Sequence, residues 1–77
     1  MKNDIYEDVR SLAVKLENTG NENVIRDLMD SIDFSSTSIE ALLKIKFYLD
    51  KLNTMTLDKN IIVELDRIKT AVVRMLK

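Results

Sequence analysis

The chain contains no cysteine, no histidine and no proline, and only one glycine. Each absence removes a class of structure or chemistry. Without cysteine there is neither a disulfide nor a thiolate metal site. Without histidine the commonest zinc ligand is missing, and so is the usual general base near neutral pH. With no proline and one glycine, few turns need unusual backbone geometry, and no segment is a proline-rich linker. Long apolar runs are missing too: no stretch approaches the roughly 18 apolar residues needed to span a bilayer. The start, Met1-Lys2-Asn3-Asp4, has one lysine and no apolar run behind it, so it is not read as a secretory leader. An excess of one charge is also lacking. Twelve basic residues face 13 acidic ones, a formal net charge of −1. That balance argues against a dedicated nucleic-acid binder, which needs surplus Lys and Arg to neutralise phosphates. The expectation is a cytoplasmic protein without membrane insertion.

What is present is a dense set of helix signals. The 77 residues suffice for one domain, 1–77, with a marginal core. Disulfides being excluded, close helix packing must carry the fold, and a second copy of the chain is the obvious further support. An apolar share of 45% with evenly spread charge is not a disordered composition.

Periodicity places four helices. In the first, over residues 4–19, Ile5, Val9, Leu12, Ala13 and Leu16 recur at steps of three and four and share one face. Asn3 or Asp4 can cap its start, and Gly20 sits where a left-handed C-terminal cap is wanted. Asn21 is expected to cap the second helix, 22–32, whose apolar stripe is Val24, Ile25, Leu28, Met29 and Ile32. Glu22 and Arg26 are spaced as an i, i+4 ion pair. The very short connection makes these two helices an antiparallel hairpin.

The third helix, 37–52, has two candidate starts. Thr37 with Glu40 fits a capping box, while Ser35 as the cap would let Phe34 staple onto Ile39. Thr37 is preferred. Leu42, Ile45, Leu49 and Leu52 share one face, flanked by Ala41 and Tyr48, and Ile39, Leu43 and Phe47 share another. A helix apolar on two sides is expected at the centre of a bundle. Thr54 or Thr56 can cap the fourth helix, 57–76. There Ile61, Leu65, Ile68, Val72 and Met75 follow the 4-3-4-3 spacing of a bundle or coiled-coil seam. Val63, Val73 and Leu76 lie off this seam. The fold expected is an all-α, up-and-down bundle of four helices with helix two the shortest.

With histidine and cysteine absent, carboxylates and hydroxyls are the first candidates for chemistry. Asp27, Asp30 and Asp33 repeat every third residue, so each turns about 60° back around the helix and the three diverge. Read from Asp33, the following segment has no glycine at its sixth position and Lys44 at its twelfth, which does not fit a calcium loop. These aspartates read better as a solvated face, or as a docking face for a basic protein. Ser35, Ser36, Thr37 and Ser38 have no activating base, and capping explains them. No glycine-rich phosphate loop is present. No cofactor is expected, and neither is an enzyme. Lys44, Lys46 and Lys51 point in different directions on a helix too apolar to serve as a recognition helix. The seam of helix four either closes the chain's own core or pairs with helix four of a second copy, the sharper alternative being a homodimer.

Gly20 and a short helix, followed by Phe34-Ser35-Ser36-Thr37-Ser38-Ile39-Glu40-Ala41-Leu42-Leu43-Lys44-Ile45-Lys46-Phe47-Tyr48-Leu49, resembles a group of small helical bacterial proteins of unassigned function. Its members carry a glycine, serine or threonine turn, an acidic residue, then a leucine-rich helix ending in a basic-aromatic stretch; the turn here has no glycine. In size and four-helix plan the chain also resembles bacteriocin-immunity proteins. These resemblances imply a bacterial interaction protein and supply no catalytic residue. The reading is therefore a non-enzymatic domain that binds another protein, as an immunity or regulatory factor. The alternative is a small dimeric nucleic-acid-associated regulator.

Overall fold

The computed structural model describes residues 4–77. Asn3 as a cap, and the start of the chain read above as no secretory leader, lie outside the described residues. Four helices form: α1 Ile5–Lys15, α2 Glu22–Asp33, α3 Ser38–Asp50 and α4 Lys59–Leu76. No strand occurs among the described residues. The fold is an all-α bundle, and its helices pack as a closed ring in chain order, α4 returning onto α1.

The ring corrects one expectation. α3 does not sit at the centre of the bundle. It packs on α2 and α4, and its backbone does not approach that of α1, which is diagonal to it, as α2 is to α4. Each helix therefore has one inner face. The core is built from Val9, Leu12 and Leu16 near α1, Leu28 on α2, Ile45 and Leu49 on α3, and Leu65, Ile68 and Val72 on α4. The first-helix stripe is buried as its spacing requires. Of the α2 stripe only Leu28 is fully buried, while Val24, Ile25 and Ile32 pack against the core from its margin.

Helix ends show where local chemistry departs from the simplest reading. Asp4 caps α1, its carboxylate accepting from the Tyr6 N–H at 2.9 Å. α1 stops at Lys15, four residues before its expected end. The chain turns instead through Asn18 and Gly20, both at positive φ (66° and 86°). The Thr19 hydroxyl donates to the Leu16 carbonyl, and the Asn18 N–H donates to the Glu22 carboxylate at 2.9 Å. α2 is short at 12 residues, but this early stop leaves α1 shorter, at 11. It also occupies Glu22, so the expected Glu22–Arg26 pair does not form; Arg26 donates to Asn23 instead.

Asn21 does not cap α2 with its side chain. It is 5% exposed, and its amide reaches across the bundle to the backbone of Asn53. The side-chain oxygen accepts from the Asn53 N–H at 3.0 Å, and the side-chain nitrogen donates to the Asn53 carbonyl at 3.3 Å. The Thr56 hydroxyl adds a bond to the Thr19 carbonyl at 2.9 Å. The loop between α1 and α2 is thus clasped to the loop between α3 and α4. Thr56 is consequently not the cap of α4, and Thr54 is not either. Asp58 fills that role, accepting from the Asn60 and Ile61 N–H groups. Thr37 caps α3, accepting from the Glu40 N–H at 3.1 Å, and Phe34 remains exposed instead of stapling.

Two stability predictions follow from these bonds. Asn21→Ala should lower unfolding free energy by about 1–3 kcal/mol, because the Asn53 backbone groups lose their partners within a partly buried loop pair. Urea denaturation should show a lower midpoint with an unchanged slope. Asp58→Ala should cost about 1 kcal/mol, whereas Thr54→Ala should cost almost nothing. Equal losses at the two positions would place the cap elsewhere.

Candidate functional site

α3 carries more apolar surface than the ring can cover. Ala41, Leu42, Ile45 and Leu49 face inward and are buried. On the far side of the same helix, Ile39, Leu43 and Phe47 follow one another at steps of four and form a ridge. They are 66%, 54% and 56% exposed. Isolated exposed apolar side chains are ordinary, but three in line on one helix are a patch.

Charges frame this ridge on both edges. On the edge toward α2, Lys44 pairs with Glu40 at 2.9 Å. The Lys51 ammonium lies over the Phe47 ring, 4.6 Å from its centroid. Phe47 also meets Tyr48 edge to face, with ring centroids 5.3 Å apart. On the edge toward α4, Asp50 stands between Lys69 at 3.1 Å and Lys46 at 3.9 Å. Lys44, Lys46 and the C-cap residue Lys51 are thus dispersed and engaged, as their sequence positions require, and do not form one cationic face.

The structure separates the three aspartates. Asp27 and Asp30 border a shallow groove between α2 and α3, shared with Ser31, Phe34, Lys44 and Tyr48. Asp33 points to the other side and binds the Arg10 guanidinium of α1. Among the described residues no three acidic side chains are grouped where they could hold a metal ion. The hydroxyl run does not assemble a nucleophile. Thr37 caps α3, while Ser35 lines a small groove with Tyr6, Ile32, Ser36, Ser38 and Ala41, its buried hydroxyl without a partner. A larger groove of about 530 Å³ opens beside it between α1, α3 and α4, with Tyr6, Leu42 and Met75 among its walls.

The seam of α4 is divided. Leu65, Ile68 and Val72 are buried in the chain's own core, and Ile61 packs against it. Met75 is 54% exposed. Of the residues off the seam, Leu76 also packs on the core, Val73 is half-buried and Val63 is 60% exposed. The outer face of α4 is mainly cationic: Lys59, Arg67 and Arg74, with Lys77 just past the helix end, are exposed beside Asp66, and no ion pair holds these four cations among the described residues.

The sequence placed Ile39, Leu43 and Phe47 together on one side of a helix but assigned that side to the interior. The signal for their exposure was the number of helices. Four helices closing a ring leave no central position, so a second apolar face must point outward.

Fold and surface together define a four-helix bundle with one unpartnered apolar ridge. Comparison with family models, curated proteins and solved structures gives no match for this chain.

The two faces of α3 should respond oppositely to substitution. Ile45→Ala opens a cavity in a fully buried position and should cost about 2–5 kcal/mol. Leu43→Ser should cost no more than about 1 kcal/mol, since the side chain is 54% exposed. Thermal unfolding of the two variants checks the pair.

Proposed function

We propose that this chain is a non-enzymatic protein-interaction domain of a regulatory or immunity type, working in the cytoplasm and binding through the outer face of α3. One observation carries the reading: Ile39, Leu43 and Phe47 form an exposed apolar ridge on the side of α3 opposite its core face. Large exposed side chains in register on a helix are the usual means by which one helical surface meets another. The mixed charges on either side supply orientation and selectivity. Asp27 and Asp30 extend this surface along α2 and favour a partner with a basic residue at that edge. The sequence has neither histidine nor cysteine, which supports a binding role without a reaction.

A homodimer through α4 would have to use Val63, Met75 and the cationic outer face, since Leu65, Ile68 and Val72 are already enclosed. A second reading, nucleic-acid association, draws support from that same face. Four exposed cations along α4 can track a phosphate backbone, and such binding would weaken steeply with salt.

Affinity capture from a lysate of the source cells tests the reading. The parent chain should retain a stoichiometric protein that the double variant Ile39→Ser, Phe47→Ser releases. Equal retention by both would remove α3 from the interaction. A salt-sensitive shift of labelled DNA, abolished by Arg67→Glu with Arg74→Glu, would transfer the function to α4.

A further inference from the structure

We infer that the occupant of the α3 ridge is a second copy of this chain, bound antiparallel across a two-fold axis that passes beside Leu43. The inference rests on reading the outer face of α3 as the binding face.

A two-fold contact places a surface against itself, so the surface must be self-complementary in shape and charge. The four helices differ sharply on this test. α2 carries four acidic residues and one basic, and α4 carries four basic and two acidic. Either outer face would repel its own copy. α1 is balanced, with two of each sign, but Val14 is its one large exposed apolar residue. α3 combines two acidic and two basic residues with the three-residue ridge.

The order of residues along α3 also suits the symmetry. Leu43 stands midway between Ile39 and Phe47. An antiparallel copy therefore sets Leu43 against its own counterpart and each Ile39 against the partner's Phe47. On the edge toward α2, Glu40 lies three residues before Leu43 and Lys44 one residue after it. Symmetry then interleaves the charges: the two Lys44 fall between the two Glu40, and each Glu40 stands two residues, about 3 Å of helix rise, from the level of the partner's Lys44. Both side chains are about half exposed and already paired within the chain, so they can share across the interface. Steps of four define the type of ridge that interlocks with its own kind at a crossing angle of about −50°. A contact crossed at that angle by a 13-residue helix is small, so the dimer belongs to the weak, concentration-dependent class.

The absence of native cysteine allows a direct test. In the full chain, Leu43→Cys should form an intermolecular disulfide readily under mild oxidation, because the two thiols meet at the axis. Val63→Cys, equally exposed on the outer face of α4, should cross-link far more slowly. Sedimentation equilibrium of the parent should show the mass rising from one chain toward two with concentration. Glu40→Lys should suppress that rise, and adding Lys44→Glu should restore it, with circular dichroism confirming that each variant is folded. A parent that stays monomeric at every concentration, or cross-linking as fast at position 63 as at position 43, overturns the inference. If a different protein is captured through the ridge while the parent stays monomeric, the interaction reading stands and self-pairing falls. If neither occurs, both fall.

Discussion

The amide of Asn21 binds both backbone groups of Asn53, and this pair ties the hairpin of α1 and α2 to the hairpin of α3 and α4. The hairpin of α1 and α2 and the hairpin of α3 and α4 each hide part of their apolar surface. Neither has enough to fold alone in water at this length. They must meet edge to edge, α2 on α3 and α1 on α4, with the inner faces in register. The clasp fixes that register at one end of the bundle, and the Thr56 hydroxyl bond to Thr19 reinforces it. Core residues such as Leu12, Leu28, Ile45 and Ile68 then join one cluster and lose all exposure to solvent.

Closing the ring has a consequence for the surface. A helix in a four-membered ring can hide about one side, and α3 has apolar residues on two. Helix propensity does not require Ile39, Leu43 and Phe47 to be apolar, and the core does not use them. Lys51 partly shields Phe47, and the flanking ion pairs keep the ridge hydrated at its borders. The remaining exposure is a standing free-energy opportunity for a partner, and it gives the interaction reading its physical content. The ring also sets the acidic α2 and the cationic α4 at opposite corners, so the bundle has a charge polarity that its near-zero net charge conceals.

Much of this was legible in the residues. Four amphipathic segments, the caps Asp4 and Thr37, and the inward faces of α1 and α3 follow from spacing and side-chain chemistry within a turn or two of chain. Local rules failed where a residue had a better partner far away. Asn21 has a good capping side chain, but its bond to Asn53 satisfies a buried loop 32 residues on. Thr56 left its capping role for Thr19, and Asp58 took it. The acidic triad failed differently: helical periodicity correctly predicted divergence, but only packing shows that Asp33 turns to Arg10 while Asp27 and Asp30 face Lys44 and Tyr48.

The order of residues alone was enough to show that the chain is helical, where its helices lie to within a few residues, and that it has no histidine or cysteine. Those properties depend on contacts between neighbours three or four positions apart, and such contacts are written directly in the order of residues. The tertiary structure decided which apolar faces are covered. α3 was given an outer ridge and α4 an enclosed seam because four helices closed into a ring, a choice made by long-range packing and by the joining of two loops through one buried amide.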